Sequence, residues 1–213
     1  MLFVVMFTIL IVFFLNYIVN EIQNNELGRH DIPSLFIALP VNDSQYCSTT
    51  LQSLYDNARY PTALRVVILQ NPDVSRDDCM FKYCDIVRCD DKNIEINRTH
   101  RKSEQLHNML GYIHRRIRSE DFFLTFNMSH GFRFLKDWDV HIYRQFKSYN
   151  NKNVIISKTD KFSSDFAYMP IHLINTVPFR DNNEDKDHHA RLFTHGITCK
   201  YVNDSIFEIS NLK

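Results

Sequence analysis

The chain has 213 residues, 44% hydrophobic and 23% charged, with Lys plus Arg and Asp plus Glu at 25 each. That length supports one domain with a full core and is short for two. The balanced charge gives no field that would draw the chain onto nucleic acid, which counts against a polyanion-binding role.

Residues 1–19 (MLFVVMFTILIVFFLNYIV) carry no charged side chain. As a helix they span roughly 28 Å, close to the hydrocarbon thickness of a bilayer. A cleaved signal peptide calls for a basic leading region and a small-residue cleavage site, and neither is present. Hydrophobicity all round the helix also disfavours a buried core helix. The expectation is a transmembrane signal-anchor over residues 1–19, a polar stalk over 20–32 and one domain over 33–213. Arg29 is the one fixed positive charge near the anchor, against Glu21 and Glu26, so charge asymmetry hardly sets the orientation. Five cysteines (Cys47, Cys79, Cys84, Cys89, Cys199) and four Asn-x-Ser/Thr sequons (Asn42, Asn97, Asn127, Asn203) fit a lumenal or external domain. The five-residue steps between Cys79, Cys84 and Cys89 match no common zinc finger, which leaves one or two disulfides and a remaining thiol.

Residues 35–39 (LFIAL) form an apolar run suited to a strand buried on both faces. Cys47, Leu51, Leu54, Tyr55 and Ala58 share one helical face, with Asp43 or Ser44 placed to cap the start and Pro61 to end it. Residues 64–69 (LRVVIL) are a second strand, so strand, helix and strand make a right-handed βαβ unit. A short strand at 86–88 and a helix carrying Leu106, Met109, Leu110, Ile113 and Ile117 come next, then an apolar strand at 122–126 (FFLTF). This alternation implies an α/β domain with a mostly parallel sheet between helices, where ligands sit beyond the carboxyl ends of the strands. Residues 42–44, 70–73, 90–92 and 127–133 are therefore the segments to inspect.

Three ordered blocks carry a more specific pattern. PSLFIALPVNDSQYCSTTLQSLYDNARYPTALRVVIL resembles the opening of the polypeptide and hydroxyproline N-acetylglucosaminyltransferase family, where a strand leads to a Cys-x-x-Thr-(Leu/Ile) helix, an Ala-x-x-Pro turn and a Val-rich strand. RSEDFFLTFNMSHGFRFLKDWD is similar to the family's Glu-Asp-(Tyr/Phe), apolar strand, acidic metal motif, Arg-Phe and Trp-Asp sequence. SSDFAYMPIHLINTVPFRDNNEDKDHHARLFTHG is similar to its closing stretch, with an acidic pair and an Arg-Leu-x-Thr-His-Gly ending. The resemblance implies a GT-A fold, a Rossmann-like nucleotide-diphospho-sugar transferase domain in which one half holds the donor and a more variable half takes the acceptor.

It also implies site residues. Transfer from a nucleotide diphosphate needs positive compensation on the leaving group, supplied in the family by Mn²⁺ or Mg²⁺ at an Asp-Ser-His motif. Aligned on Arg133-Phe134, the motif's Asp falls on Ser129 and its His on Gly131; a slip of one residue puts the His on His130 and the Asp on Met128. No carboxylate stands there, and hard cations favour carboxylate oxygens. Where the family has Ala-Arg-Gly-Pro before its long helix, this chain has Thr99-His100-Arg101-Lys102-Ser103. Arg98, Arg101 and Lys102 there are either a diphosphate cradle or a solvated helix start. Asp43 matches an acidic residue that meets the nucleoside, with helix capping as the alternative. Glu184 and Asp185 match the acidic pair implied as general base toward the acceptor hydroxyl, or are acids favoured at a helix N-terminus. His195 stands where such enzymes place a late metal ligand, and Gly196 beside it also suits a helix stop. Trp138 reads as a core anchor.

Taken together, these features lead us to expect a single-pass type II membrane protein, in the Golgi or endoplasmic reticulum lumen, on an external face or on a viral envelope. Its domain would transfer, or ancestrally have transferred, N-acetylglucosamine from UDP-N-acetylglucosamine to a protein or glycan hydroxyl. The alternative is a catalytically inactive binding module on the same fold.

Overall fold

The computed structural model describes residue 6 and residues 9–16, 33–41, 46–70, 79, 83, 93–98, 122–126, 131–158, 166–174, 196–203 and 206–210. The chain divides into two units, Met1–Pro33 and Ser34–Lys213. In the first, residues 9–16 are helical and exposed. Among the described residues no helix is long and apolar enough to cross a membrane, and most of the expected anchor and stalk lies outside them.

The second unit is built on a seven-stranded sheet. Its first strand, β1 (Leu35–Val41), alternates between two apolar clusters, as a strand covered on both faces must. Leu35, Ile37, Leu39 and Val41 face one cluster, whereas Phe36 and Ala38 face the other. Helix α1 (Cys47–Asp56) follows, then a 3-10 turn at Pro61–Ala63 and β2 (Leu64–Gln70), which lies parallel to β1. The βαβ unit is where the pattern places it. The N-cap of α1 is Tyr46, with no side-chain cap, so neither Asp43 nor Ser44 holds the capping position.

The described third strand is β3 (Ile94–Arg98), parallel to β2. Residues 86–88, where a strand is expected, lie outside the described residues, as does the helix expected over residues 106–117. Strand β3 occupies a sheet edge, and only Ile94 and Ile96 pack against the core, giving a half-polar alternation in place of an apolar run. Strand β4 (Phe122–Phe126) pairs parallel with β1 on the other side.

The later elements are β5 (Gly131–Phe134), α2 (Trp138–Ser148), β6 (Val154–Ser157), β7 (Phe166–Pro170), β8 (Thr198–Tyr201) and β9 (Phe207–Ser210). The large sheet has the order β3-β2-β1-β4-β7-β6-β8, and β5 and β9 form a separate antiparallel pair. Strand β7 is antiparallel to both of its neighbours and every other pairing in the large sheet is parallel, so β7 alone runs against the rest. The mostly parallel mixed sheet expected from the sequence is present.

Both described helices bury their apolar stripes on the same face of the sheet, Leu51 and Leu54 from α1 with Trp138, Ile142 and Phe146 from α2. Aromatic rings dominate that side: Phe122 stacks on Tyr168 at 5.1 Å, and Phe134 meets Trp138 at 4.6 Å and Phe126 at 5.3 Å. The opposite face is mainly aliphatic, with Val67, Leu69, Ile155, Met169, Ile171 and Ile197 around Phe36 and Phe123.

Candidate functional site

In a parallel sheet the chain can return only by crossing over, so consecutive strands share one carboxyl edge. Register shows that edge directly: Val41 pairs with Gln70, and Gln70 with Arg98. From β1 the chain builds outward through β2 to β3, then comes back to place β4 on the far side of β1. The strand order reverses between β1 and β4, and a crevice opens at such a switch point beyond the carboxyl ends. Residues 42–45 leave β1 there and residues 127–130 leave β4.

Of the residues the sequence points to, Arg98 is the last of β3, which places its backbone on this edge. Asp43 stands two positions past Val41, Ser129 and His130 three and four past Phe126, and Arg101 and Lys102 three and four past Arg98. These residues, with Glu184, Asp185 and His195, lie outside the described residues. Gly196, next to His195, adopts φ +65°, a left-handed conformation that glycine enters without a Cβ clash, two residues ahead of β8.

Two tethers fix the ground beside the switch point. Cys47, in the first turn of α1, is disulfide-bonded to Cys79 with Cα atoms 5.4 Å apart. The buried Gln70 side chain at the end of β2 accepts the Cys79 N–H at 3.4 Å. Cys79 thereby ties the start of α1 to the end of β2, by a covalent link on one side and a buried hydrogen bond on the other.

The other side of α1 acts as a strand toward β5. Thr50, Ser53 and Asn57 recur on one helical face. Thr50 Oγ1 accepts the N–H of Phe132 at 3.3 Å, and Ser53 Oγ accepts that of Phe134 at 3.2 Å. The Ser53 hydroxyl proton is shared between the carbonyls of Phe132 (3.2 Å) and Thr50 (3.0 Å). Asn57 Nδ2 donates to the Phe134 carbonyl at 2.9 Å. Four backbone groups on the edge of β5 away from β9 are satisfied by helix side chains, so β5 has no open edge on that side.

The Trp-Asp pair completes the framework. Trp138, fully buried, donates its indole N–H to the Leu54 carbonyl in the last turn of α1 at 2.8 Å. Asp139, 6% exposed, accepts the backbone N–H groups of Arg59 and Tyr60 at 2.9 Å each. Asp137 takes φ 58°, a left-handed value Asp tolerates, and donates its N–H to the Asn57 carbonyl at 2.7 Å. Trp138 is a core anchor, as its sequence context suggests. Burial, with Tyr143 and Asp139 adding to it, pushes the hydroxyl of the core residue Tyr168 well above the usual tyrosine range. It stays neutral and structural.

Between α1 and β5 lies a concavity of about 460 Å³, lined by Tyr46, Thr49, Gln52, Ser53, Asp56, Asn57, Gly131, Phe132 and Arg133. Sequence reasoning missed it. Thr49, Gln52 and Asp56 share a helical face, but a polar face on an amphipathic helix is ordinarily solvent-facing, and Gly131, Phe132 and Arg133 drew notice only as the end of the segment that follows β4. Burial beside Asp56 raises the Tyr83 hydroxyl above its ordinary value, with the Asp56 charge as the lesser cause.

No protein-family model matches the chain, and no curated protein matches its sequence. Solved structures do. A mannosyltransferase, PcManGT from Pyrobaculum calidifontis in complex with GDP-Man and Mn²⁺, aligns at TM-score 0.58 and 13% identity, covering 82% of this chain and 56% of that one. S. aureus TarS residues 1–349 in complex with UDP-GlcNAc aligns at TM-score 0.56 and 13% identity, covering 82% and 57%. The fold is that of the GT-A-type glycosyltransferases. This chain spans a little over half the length of those structures.

The donor set at the end of β4 does not match the metal in the mannosyltransferase complex. Residues 127–130 are Asn, Met, Ser and His, with no carboxylate for a hard divalent cation. Among the described residues no group of three or more His, Cys, Asp or Glu side chains is placed to hold a metal ion.

Proposed function

We propose that this chain is a membrane-anchored nucleotide-sugar-binding domain of glycosyltransferase type, with the donor diphosphate held at the carboxyl edge beyond β1 and β4. One observation carries the reading: the parallel order β3-β2-β1-β4 reverses between β1 and β4, and ligands of such sheets bind beyond the carboxyl ends at that point, with Asp43 and Ser129 two and three positions past the two strands. Structures of the same fold in complex with GDP-Man and UDP-GlcNAc support a nucleotide-sugar ligand. The resemblance to N-acetylglucosaminyltransferases points to UDP-N-acetylglucosamine as donor and to a protein or glycan hydroxyl as acceptor.

In transfer, the bond from the anomeric carbon to the diphosphate breaks and a bond to the acceptor oxygen forms. The hydroxyl proton goes to Glu184 or Asp185, and the UDP anion leaves. With no carboxylate at residues 127–130, positive compensation falls to Arg98, Arg101 and Lys102 around the end of β3. His130 and His195 remain the side chains that suit a softer metal than Mn²⁺ or Mg²⁺. The charge-free run over residues 1–19 supplies the anchor, with the domain in the lumen of the secretory pathway or on an external or viral envelope surface.

The absent carboxylate favours a second reading, a module that binds nucleotide sugars without transferring them. Calorimetry of the full chain with UDP and UDP-N-acetylglucosamine, with and without Mn²⁺, tests both. Metal-independent binding is expected, weakened by Arg101→Ala with Lys102→Ala. No heat in any condition defeats both readings, and binding without turnover of donor in the presence of acceptors selects the second.

A further inference from the structure

None of the residues lining the concavity between α1 and β5 is among those assigned to the donor. Its volume of about 460 Å³ lies within the range of small-molecule sites. Along α1 it runs from Tyr46 to Asn57, roughly 16 Å at helical rise. The side chains of Tyr46, Gln52, Asp56 and Arg133 line it and hydrogen-bond to none of the described residues. The floor beneath them is held by Thr50, Ser53 and Asn57 through the β5 backbone. The backbone of the floor is fixed, so the ordering cost of binding falls on the side chains above it alone.

Three classes of ligand fail on the chemistry. One guanidinium, Arg133, is offset by one carboxylate, Asp56, so the trough has no net charge to recruit a phosphate or a polyanion. A single carboxylate does not make a cation site. An extended peptide would need a free strand edge, and the N–H and C=O groups of Phe132 and Phe134 on that side are already taken by α1.

The mixed polar lining matches best a neutral ligand bound through side chains and rich in groups that both donate and accept. We propose that this trough is a saccharide site for a short neutral oligosaccharide, with Asp56 and Arg133 each binding hydroxyls, the Gln52 amide binding a hydroxyl or acetamido group, and the half-buried Tyr46 ring lying against a pyranose face. A carboxylate and a guanidinium give hydroxyls charge-assisted hydrogen bonds, and an aromatic ring adds apolar contact to the C–H face of the sugar. Both Tyr46 and Gly131 stand five positions past the strands that end at the switch point. The site is independent of the donor reading and stands whether or not UDP binds.

The test is titration of the full chain, followed by calorimetry and by chemical shifts of labelled protein, with N-acetylchitotetraose, maltotetraose and mannotetraose. At least one is expected to bind saturably, with affinity reduced roughly tenfold by Gln52→Ala and by Asp56→Asn and unchanged by Lys152→Ala. A UDP titration of the same variants separates this site from the donor site: donor affinity is expected to stay at its parent value. The proposal is overturned if none of the three saccharides binds, or if binding survives both trough substitutions undiminished.

Discussion

Two rows of polar side chains run along α1 and look alike in the sequence. The inner row, Thr50, Ser53 and Asn57, gives its hydrogen-bonding groups to the backbone of β5. The outer row, Thr49, Gln52 and Asp56, lines the trough beside Ser53 and Asn57, and of the three only Thr49 bonds within the described residues, donating to the Tyr46 carbonyl at 3.1 Å. Residue type does not separate the rows; what each side chain touches does. A polar residue that saturates a buried backbone group is structural, because removing it leaves that group unpaired. One with its groups open to a concavity costs the fold little and is available to a ligand. Substitutions that act on one row and spare the other therefore test the division.

The largest effect is expected where the framework joins both helices. Trp138→Ala removes a fully buried indole packed on Phe134 and the hydrogen bond to Leu54. It should cost about 3–5 kcal/mol in urea unfolding, the range for large aromatic truncations in a core. A loss below about 1 kcal/mol would mean that α1 and α2 are held together by something else. Next comes Asp139→Ala, which orphans the N–H groups of Arg59 and Tyr60. Each unsatisfied group costs about 1–3 kcal/mol, so the variant should fall well below Asp139→Asn, which keeps one acceptor oxygen. Equal stability of the two variants would contradict the capping role.

Ser53→Ala probes the inner row itself. It strips the Phe134 N–H of its acceptor and the Phe132 carbonyl of a donor at the point where β5 begins to pair with β9. A loss of about 1–2 kcal/mol is expected, with faster amide exchange at Phe134 as the local signature. Unchanged exchange at Phe134 would show that water replaces the hydroxyl and that the inner row does not close the edge.

How much of this the sequence discloses follows from the same distinction. Strands β1, β2 and β4 read clearly because both faces are covered, leaving unbroken runs such as FIAL and VVIL between turn residues. Strand β3 did not stand out because an edge strand alternates, and Glu95 and Asn97, which follow Ile94 and Ile96, look like loop composition. Beyond residue 126 the elements are short and their partners remote. GFRF pairs with a strand over 70 residues later, and TCKY is an exposed edge whose side chains carry almost no periodicity. The Trp-Asp pair is visible as a motif, but its role is not, since nothing local says that the carboxylate caps residues 59 and 60. The carboxyl edge of the sheet was legible because it follows from the alternation of strands and helices alone. The trough was not, because it depends on which helical face β5 selects.

The smallest expected effect is the sharpest test of the two-row division. Gln52→Ala sits one residue from Ser53 on the same helix, and Ala is the better helix former, so propensity favours the variant slightly. With no described partner lost, unfolding free energy should stay within about 0.5 kcal/mol of the parent, as for surface substitutions away from structural contacts. If it fell as far as in Ser53→Ala, the outer row would be part of the framework and the concavity merely a gap between packed elements. If stability holds while saccharide affinity drops, adjacent residues on one helix serve separate ends, Ser53 holding β5 in place and Gln52 presenting an amide to whatever enters.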